Sequence, residues 1–422
     1  MKLYKDLGFY IPASFVLQVN VEESIDAIIN SKDERTLSHE LIHFLQDVST
    51  TYGLINICSF VDVLKNQNKI ALSSNNELIT PIPISSYSYS VSTNLDLFSC
   101  YSGDSADKFT EFPDSIVVTT INEELMEIEG LSYGINVIEI EYGSDVLSNS
   151  KKFHFGSMAI YESMANLVEN EIYSENEKNK NFPYDSASMI VDYLCPSLTA
   201  NNAAISEICE ASLMFYNPAD IFIKSLRKIN EDRISFVETD GFYNYILSNY
   251  TLEDKKVIDE FNNVKAIAIN QLNDLFTVEP LKSEHWASNL VSKGGYVRNK
   301  GTSLSSLIFS RDQIEKRAVL METVKSIGFP VAFNSNDEIW IQDTESLLNT
   351  PLMFPVILSI NEIFMGKRCQ CYLYNFCDKH GGYIVNNNCI DSPWERAKNG
   401  TVCYFANIWK MWGLENIGVI QK

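Results

Sequence analysis

Apolar positions along the chain follow two periods. Phe15-Val16-Leu17-Gln18-Val19-Asn20 reads as a strand, and Ile25, Ile28 and Ile29 have helical spacing between Val21 and Asn30. From about Asp33 to Ser49, Leu37, Leu41, Phe44, Leu45 and Val48 form one helical stripe, with His39, His43 and Gln46 on the opposite side. Strand-like text follows in Leu54 to Val63, Ile82 to Val91, Ser115 to Thr120 and Gly134 to Tyr142. From Ser157 the period becomes helical. Met158 to Ile172, Ser186 to Cys195, Thr199 to Tyr216, Glu253 to Phe276 and Arg311 to Ile327 all read as helices. Asn217-Pro218 predicts an N-cap with proline in the first turn of a further helix, and Lys293-Gly294-Gly295 predicts a loop.

This pattern predicts an α+β protein. A first domain would span residues 1–300, with a β-rich insertion at about 54–150 and a helical part at about 155–280. A mixed α/β region would follow at 301–422, with a cysteine-rich segment at 369–403. The chain has 422 residues, of which 45% are hydrophobic, so it can build a large core. Its net charge of −22 argues against a nucleic-acid partner or an anionic membrane surface. No signal peptide and no membrane span is read, so the expectation is a cytoplasmic protein whose cysteines stay reduced or bind metal. Its richness in Asn, Lys and Ile suggests a bacterial source.

Chemistry enters with Ser38-His39-Glu40-Leu41-Ile42-His43, which contains H-E-x-x-H. Histidines four apart on a helix project from one face and can share a zinc ion. Glu40 beside them can take a proton from a zinc-activated water as general base. Gln46, on the same face, could orient a ligand. The alternative is an amphipathic helix whose polar face spells the motif by chance.

A catalytic zinc site needs a third protein ligand. In H-E-x-x-H-x-x-G-x-x-H it would lie on the same segment, but Gln46 and Ser49 occupy those two positions, so it must come from elsewhere. The best source is the helix starting near Ser157, where Glu162, Asn166 and Glu169 share a face. Glu162 is the first choice and Glu169 the second, with a solvated or ion-paired carboxylate as the alternative role for Glu162.

These two segments resemble the gluzincin-type zinc metallopeptidases, which carry H-E-x-x-H on one helix and a glutamate on a later one. The resemblance implies a zincin-like core with the β-rich insertion between its two metal-binding helices. It also implies one catalytic zinc held by His39, His43 and Glu162. The family often has Glu-x-x-x-Asp on the later helix, the Asp supporting a zinc-bound histidine; here Asn166 takes that position, without the charge. The spacing departs as well, since 118 residues separate His43 from Glu162. A tyrosine or histidine usually serves the developing oxyanion in such enzymes. His154 is the candidate named here, with Tyr142 as another.

Cysteines concentrate in the tail. Cys369, Cys371, Cys377 and Cys389, with His380, suggest a second, structural zinc site; buried free thiols are the alternative. Cys403 ends the segment. Trp394, Tyr404, Phe405, Trp409 and Trp412 read as core, or else as a partner surface.

The function expected is a zinc-dependent metallopeptidase cutting a cytosolic protein or peptide, with access restricted, and with a regulatory protein partner as an option. The alternatives are a non-catalytic or regulatory binding protein with an acidic and aromatic surface, and a zinc hydrolase of small amides.

Overall fold

The structure is a computed structural model that describes residues 7–29, 31, 33–104, 117–129, 131–143, 151–174, 182–236, 238–278, 285–298, 302–342, 350–367, 369–379, 385–398 and 403–422. Helices and strands are mixed, as expected of an α+β chain. One sheet has the order β1 (Gly8–Ile11), β2 (Val16–Val19), β7 (Val331–Phe333), β8 (Ile339–Trp340). In it β1 and β2 are antiparallel with Gly8 opposite Val19, and β2 runs parallel to β7. A second pairing joins β3 (Glu77–Thr80) to β9 (Gly418–Gln421), in parallel. The third sheet is an antiparallel meander of β4 (Val117–Met126), β5 (Ile135–Gly143) and β6 (Lys151–Phe155).

Strands from the last hundred residues thus complete sheets begun near the N-terminus. One buried core runs continuously from Tyr10 to Ile417. The boundary expected at residue 300 therefore falls between elements that share a sheet.

The insertion between the helix of His39 and the helix of Glu162 is less β-rich than expected. Leu54 to Val63 lies within a helix, Thr51–Leu72. Its β-branched residues favour a strand locally. The positions that bury are Leu54, Ile57, Val61 and Leu64, however, and their helical spacing prevails through packing. Ile82 to Val91 is likewise not a strand; it leads into a helix, Tyr89–Ser102. Strands do occupy the rest of the insertion, from Val117 onward.

Lys293, Gly294 and Gly295 lie inside a helix, Trp286–Arg298, rather than in a loop. A Cβ on Gly294 would stand 2.4 Å from the carbonyl oxygen of Val48, so this glycine lets two helices touch. Among the described residues no helix is long and apolar enough to cross a membrane.

Candidate metal centre

The motif helix runs from Glu34 to Ser49. Glu34 stands in its first turn, where a carboxylate favours the positive end of the helix dipole. The Arg317 side chain pairs with Glu34 at 2.6 Å. At the other end Arg298 Nε donates to the Ser49 carbonyl at 2.6 Å, and Arg298 is itself paired with buried Glu210. A cation thus covers the orphan carbonyl end of the helix. The chain then turns at Thr50, whose hydroxyl accepts from Gly53 N–H at 3.1 Å and starts the next helix. Gly53 allows this tight turn, because a Cβ there would lie 2.3 Å from the Asp47 carbonyl oxygen.

The apolar stripe faces the core as expected, but the polar face is buried too. Every residue from Leu37 to Ser49 is buried. The cover is a second helix, Ser157–Tyr173, packed antiparallel to the first. The two are stitched along their length. Arg35 pairs with Glu169 and donates to Asn170 at 2.8 Å. Ser38 and Tyr173 share a hydrogen bond of 2.7 Å. Gln46 Nε2 donates to the Tyr161 carbonyl at 3.1 Å.

His39, His43 and Glu162 meet between the helices, with one ligand atom from each within 4.8 Å of the others. The two Nε2 atoms are 3.1 Å apart, and Glu162 Oε2 is 3.1 Å from His39 Nε2 and 3.4 Å from His43 Nε2. A tetrahedral ion with bonds of about 2.0–2.2 Å sets its ligands roughly 3.3–3.5 Å apart. The donor set fits a single metal ion.

The other ring nitrogens decide the tautomers. Gln46 gives its N–H to the Tyr161 carbonyl, so its oxygen faces His43 Nδ1 at 2.8 Å and accepts from it. His39 Nδ1 meets Glu169 Oε2 at 2.7 Å. Both rings therefore have an acceptor behind Nδ1 and can present Nε2 to a cation. Gln46 thus lies behind His43, one turn along the same helix.

Asn166 does not take the supporting role expected of it. Its amide donates to the Tyr184 carbonyl at 3.3 Å and accepts from Asn170 at 3.1 Å. Glu169 supports His39 instead, which restores a negative charge to that role. It sits two helical turns beyond Glu162, so both carboxylates reach the same histidine. Nor is Glu169 a third ligand, because its oxygen meets Nδ1 rather than Nε2.

Electrostatics follow from this crowding. Burial disfavours the charged His39 ring, but Glu162 and Glu169 overcome it and hold its pKa well above the usual value. Burial would raise Glu162, but the two histidines bring it down to about 2. Glu40 goes the other way: burial, only partly offset by His39 and His43, pushes it up to about 7. Glu40 Oε2 has no hydrogen-bond partner. Its other oxygen lies 3.3 Å from where a Cβ on Gly8 would stand, so β1 passes directly over it. The arrangement leaves one Glu40 oxygen unpartnered near two nitrogens and an oxygen suited to a cation.

His154 is not part of this group. It lies on β6 opposite Glu139, on the strand face away from buried Phe153 and Phe155. Its backbone N–H donates to Asp104. Tyr142 packs against Phe153, with ring centres 5.7 Å apart. Two other tyrosines stand against the histidines. The Tyr161 ring stacks on His43 at 6.2 Å, although its place beside Glu162 in sequence gave no reason to expect it. The half-buried Tyr184 ring meets His39 edge-on at 5.8 Å. Nothing in the sequence around Tyr184 signals this role; it follows from the chain's return past the facing helix.

The tail cysteines divide. Cys371, Cys377, Cys389 and Cys403 line one cavity. Cys369 is turned away, its thiol hydrogen-bonded to Gln421 at 2.7 Å. His380 lies outside the described residues. Trp394, Phe405, Trp409 and Trp412 are buried and Tyr404 is half-buried, so the aromatic tail packs into the core. Comparison with family models, curated proteins and solved structures gives no match, so the reading of the metal centre rests on its own geometry.

Proposed function

We propose that the chain is a zinc-dependent peptidase with a zincin-like core, in which His39, His43 and Glu162 hold the metal. The observation that carries this is the convergence of three ligand atoms whose supporting groups leave both Nε2 atoms directed at one point, with Glu40 buried alongside. Zinc, when bound, supplies Lewis acidity for the scissile carbonyl and lowers the pKa of water.

The residues of the chain supply the rest. Glu40 takes the proton from the attacking water and passes it to the leaving amine; burial and the absence of a competing donor at Oε2 suit it to both steps. Glu169 and Gln46 keep the histidine tautomers fixed. Tyr184 is the residue we assign to donate to the developing oxyanion, because it stands against His39, the most exposed of the three ligands. The resemblance to gluzincins supports the class, with Glu169 in the place of the usual aspartate. None of the nine cysteines is disulfide-bonded, which supports a reducing, cytoplasmic setting.

His39 is 9% exposed, Glu162 2% and His43 1%. This burial favours a narrow substrate: an extended peptide segment or, as a second reading, a small amide. The decisive experiment measures zinc content and hydrolysis of a peptide library for wild type, Glu40→Gln and His43→Ala. The proposal expects Glu40→Gln to keep zinc and lose turnover, and His43→Ala to lose both. A chain that binds no zinc at His39 and His43 would overturn it. Turnover of small amides alone would move the assignment to the second reading.

A further inference from the structure

The tail has chemistry that the proposed peptidase does not use. Cys371 and Cys377 from one short stretch, Cys389 from a second and Cys403 from a third line the same cavity. Cys371 and Cys403 are buried, and Cys377 and Cys389 are half-buried. We propose that these four thiols bind one structural zinc ion, at a site separate from the motif helix.

Four observations support this. The first is convergence: five of the nine cysteines of the chain fall between Cys369 and Cys403, and four of those five share the cavity. The one that does not, Cys369, points elsewhere.

The second is the scaffolding. The Cys371 N–H donates to the Cys389 carbonyl at 3.0 Å, tying two of the segments together. Cys403 sits at the N-cap of the helix Tyr404–Met411, and its sulfur accepts from the Ala406 N–H at 3.4 Å. A backbone N–H at a helix N-terminus is a donor suited to a sulfur that carries negative charge when it binds zinc.

The third is charge. Zinc with four thiolates carries two net negative charges. Arg396, 4% exposed, lines the same cavity and supplies a buried cation to offset them.

The fourth is size. The cavity volume is about 20 Å³, enough for roughly one water or one ion. A cluster of several irons and sulfides, which four cysteines also hold, needs more room. No three of the sulfurs lie within 4.8 Å of one another, whereas sulfurs bonded to zinc at 2.3 Å stand about 3.8 Å apart. The ion would therefore draw sulfurs together by about 1 Å or more, which couples binding to local folding.

Leu373, Trp394 and Phe405 anchor these segments in the main core, but their own secondary structure is short. The helices that carry or flank the thiols have only 6, 4, 4 and 8 residues. Elements this short are seldom stable without a cross-link.

The test uses the full chain in four versions: wild type, His39→Ala/His43→Ala, Cys377→Ser/Cys389→Ser, and all four substitutions together. Zinc is counted after exhaustive dialysis. The histidine variant should retain one equivalent, and the combined variant none. Because the cysteine variant could misfold, the histidine variant is also loaded with cobalt(II). An intense sulfur-to-cobalt charge-transfer band should appear, since only thiolate ligation gives one. Cys369→Ser should leave the band and the zinc count unchanged. The proposal is overturned if the histidine variant holds no zinc and gives no such band, or if the tail contains iron and sulfide. Neither outcome bears on the metal at His39 and His43, so the two assignments fail separately.

Discussion

The two metal sites proposed for this chain are built in opposite ways. His39, His43 and Glu162 stand on helices of 16 and 17 residues. Ion pairs and hydrogen bonds stitch those helices together, and the spacing of the donor atoms already suits an ion. The four cysteines stand on segments of a few residues each, and their sulfurs are too far apart for zinc until the segments move. Long secondary structure can preorganise a site before the metal arrives, whereas short segments must be organised by it. A site meant for chemistry gains from the first arrangement, because its geometry cannot depend on what is bound. A site meant for bracing loses little by the second.

Metal removal should expose this difference most strongly. After chelation, backbone amides in 371–379 and 385–398 should exchange faster by roughly 100-fold or more, since binding there is part of local folding. Amides in 34–49 and 157–173 should keep most of their protection. Hydrogen exchange followed by mass spectrometry reads both at once. Equal loss in the two regions would remove the contrast.

Next in size is the effect of Glu40→Gln. A general base contributes about 10²- to 10⁴-fold to rate, and peptide turnover should fall by that much with zinc content unchanged. No substitution in the cysteine region should reproduce this pattern of intact metal and lost turnover. A loss of zinc in Glu40→Gln would mean that Glu40 is a ligand rather than a base.

The support behind the motif helix should show itself in pH dependence. Asp47 is buried, accepts from Tyr10 and Ala13, and has one oxygen without a partner. Burial pushes its pKa up to about 7, against pulls from those donors and from His43; Tyr161 also lies near. The folded state then holds a proton that the unfolded chain has released. Stability from this group is complete below about pH 4 and is lost as pH rises towards 7. The full effect is on the order of 4 kcal/mol at most. Asp47→Asn should flatten the stability curve between pH 4 and 7 in denaturant titrations of the metal-free chain. An unchanged slope would show that Asp47 is ionised throughout.

Gly53→Ala tests the same support by packing. A Cβ 2.3 Å from the Asp47 carbonyl must displace the turn, at a cost of about 1–3 kcal/mol. The midpoint of urea unfolding should drop accordingly.

How far the sequence disclosed all this depends on the kind of information. The motif helix was legible from Leu37, Leu41, Phe44, Leu45 and Val48 because burial of one stripe leaves a period in the text. His39, His43 and Gln46 followed from the same phase. The helix at Leu54 to Val63 was misread because β-branched residues carry a local preference that tertiary packing overrides. The role of Gly294 was hidden for a related reason: a glycine that ends a helix and one that lets two helices touch look alike in sequence. Cys403 was visible as the end of the cysteine cluster, whereas nothing in the local pattern around Tyr184 marks its contact with His39.

The smallest expected effect concerns the choice between two residues on one helix. Asn166 and Glu169 both share a face with Glu162, and only contact distinguishes them. Glu169 Oε2 is 2.7 Å from His39 Nδ1, whereas Asn166 is occupied by Tyr184 and Asn170. Glu169→Gln keeps the shape but removes the charge that raises the basicity of the ring, so zinc affinity at this site should fall about 10- to 100-fold. Asn166→Ala should leave the affinity unchanged. Competition with a chelator in a background lacking the tail thiols measures both. If Asn166→Ala weakens zinc as much as Glu169→Gln does, the support of His39 passes through the whole facing helix. If only Glu169→Gln acts, the support is the single hydrogen bond at Nδ1, carried by the carboxylate two turns beyond Glu162 rather than by the amide one turn beyond it.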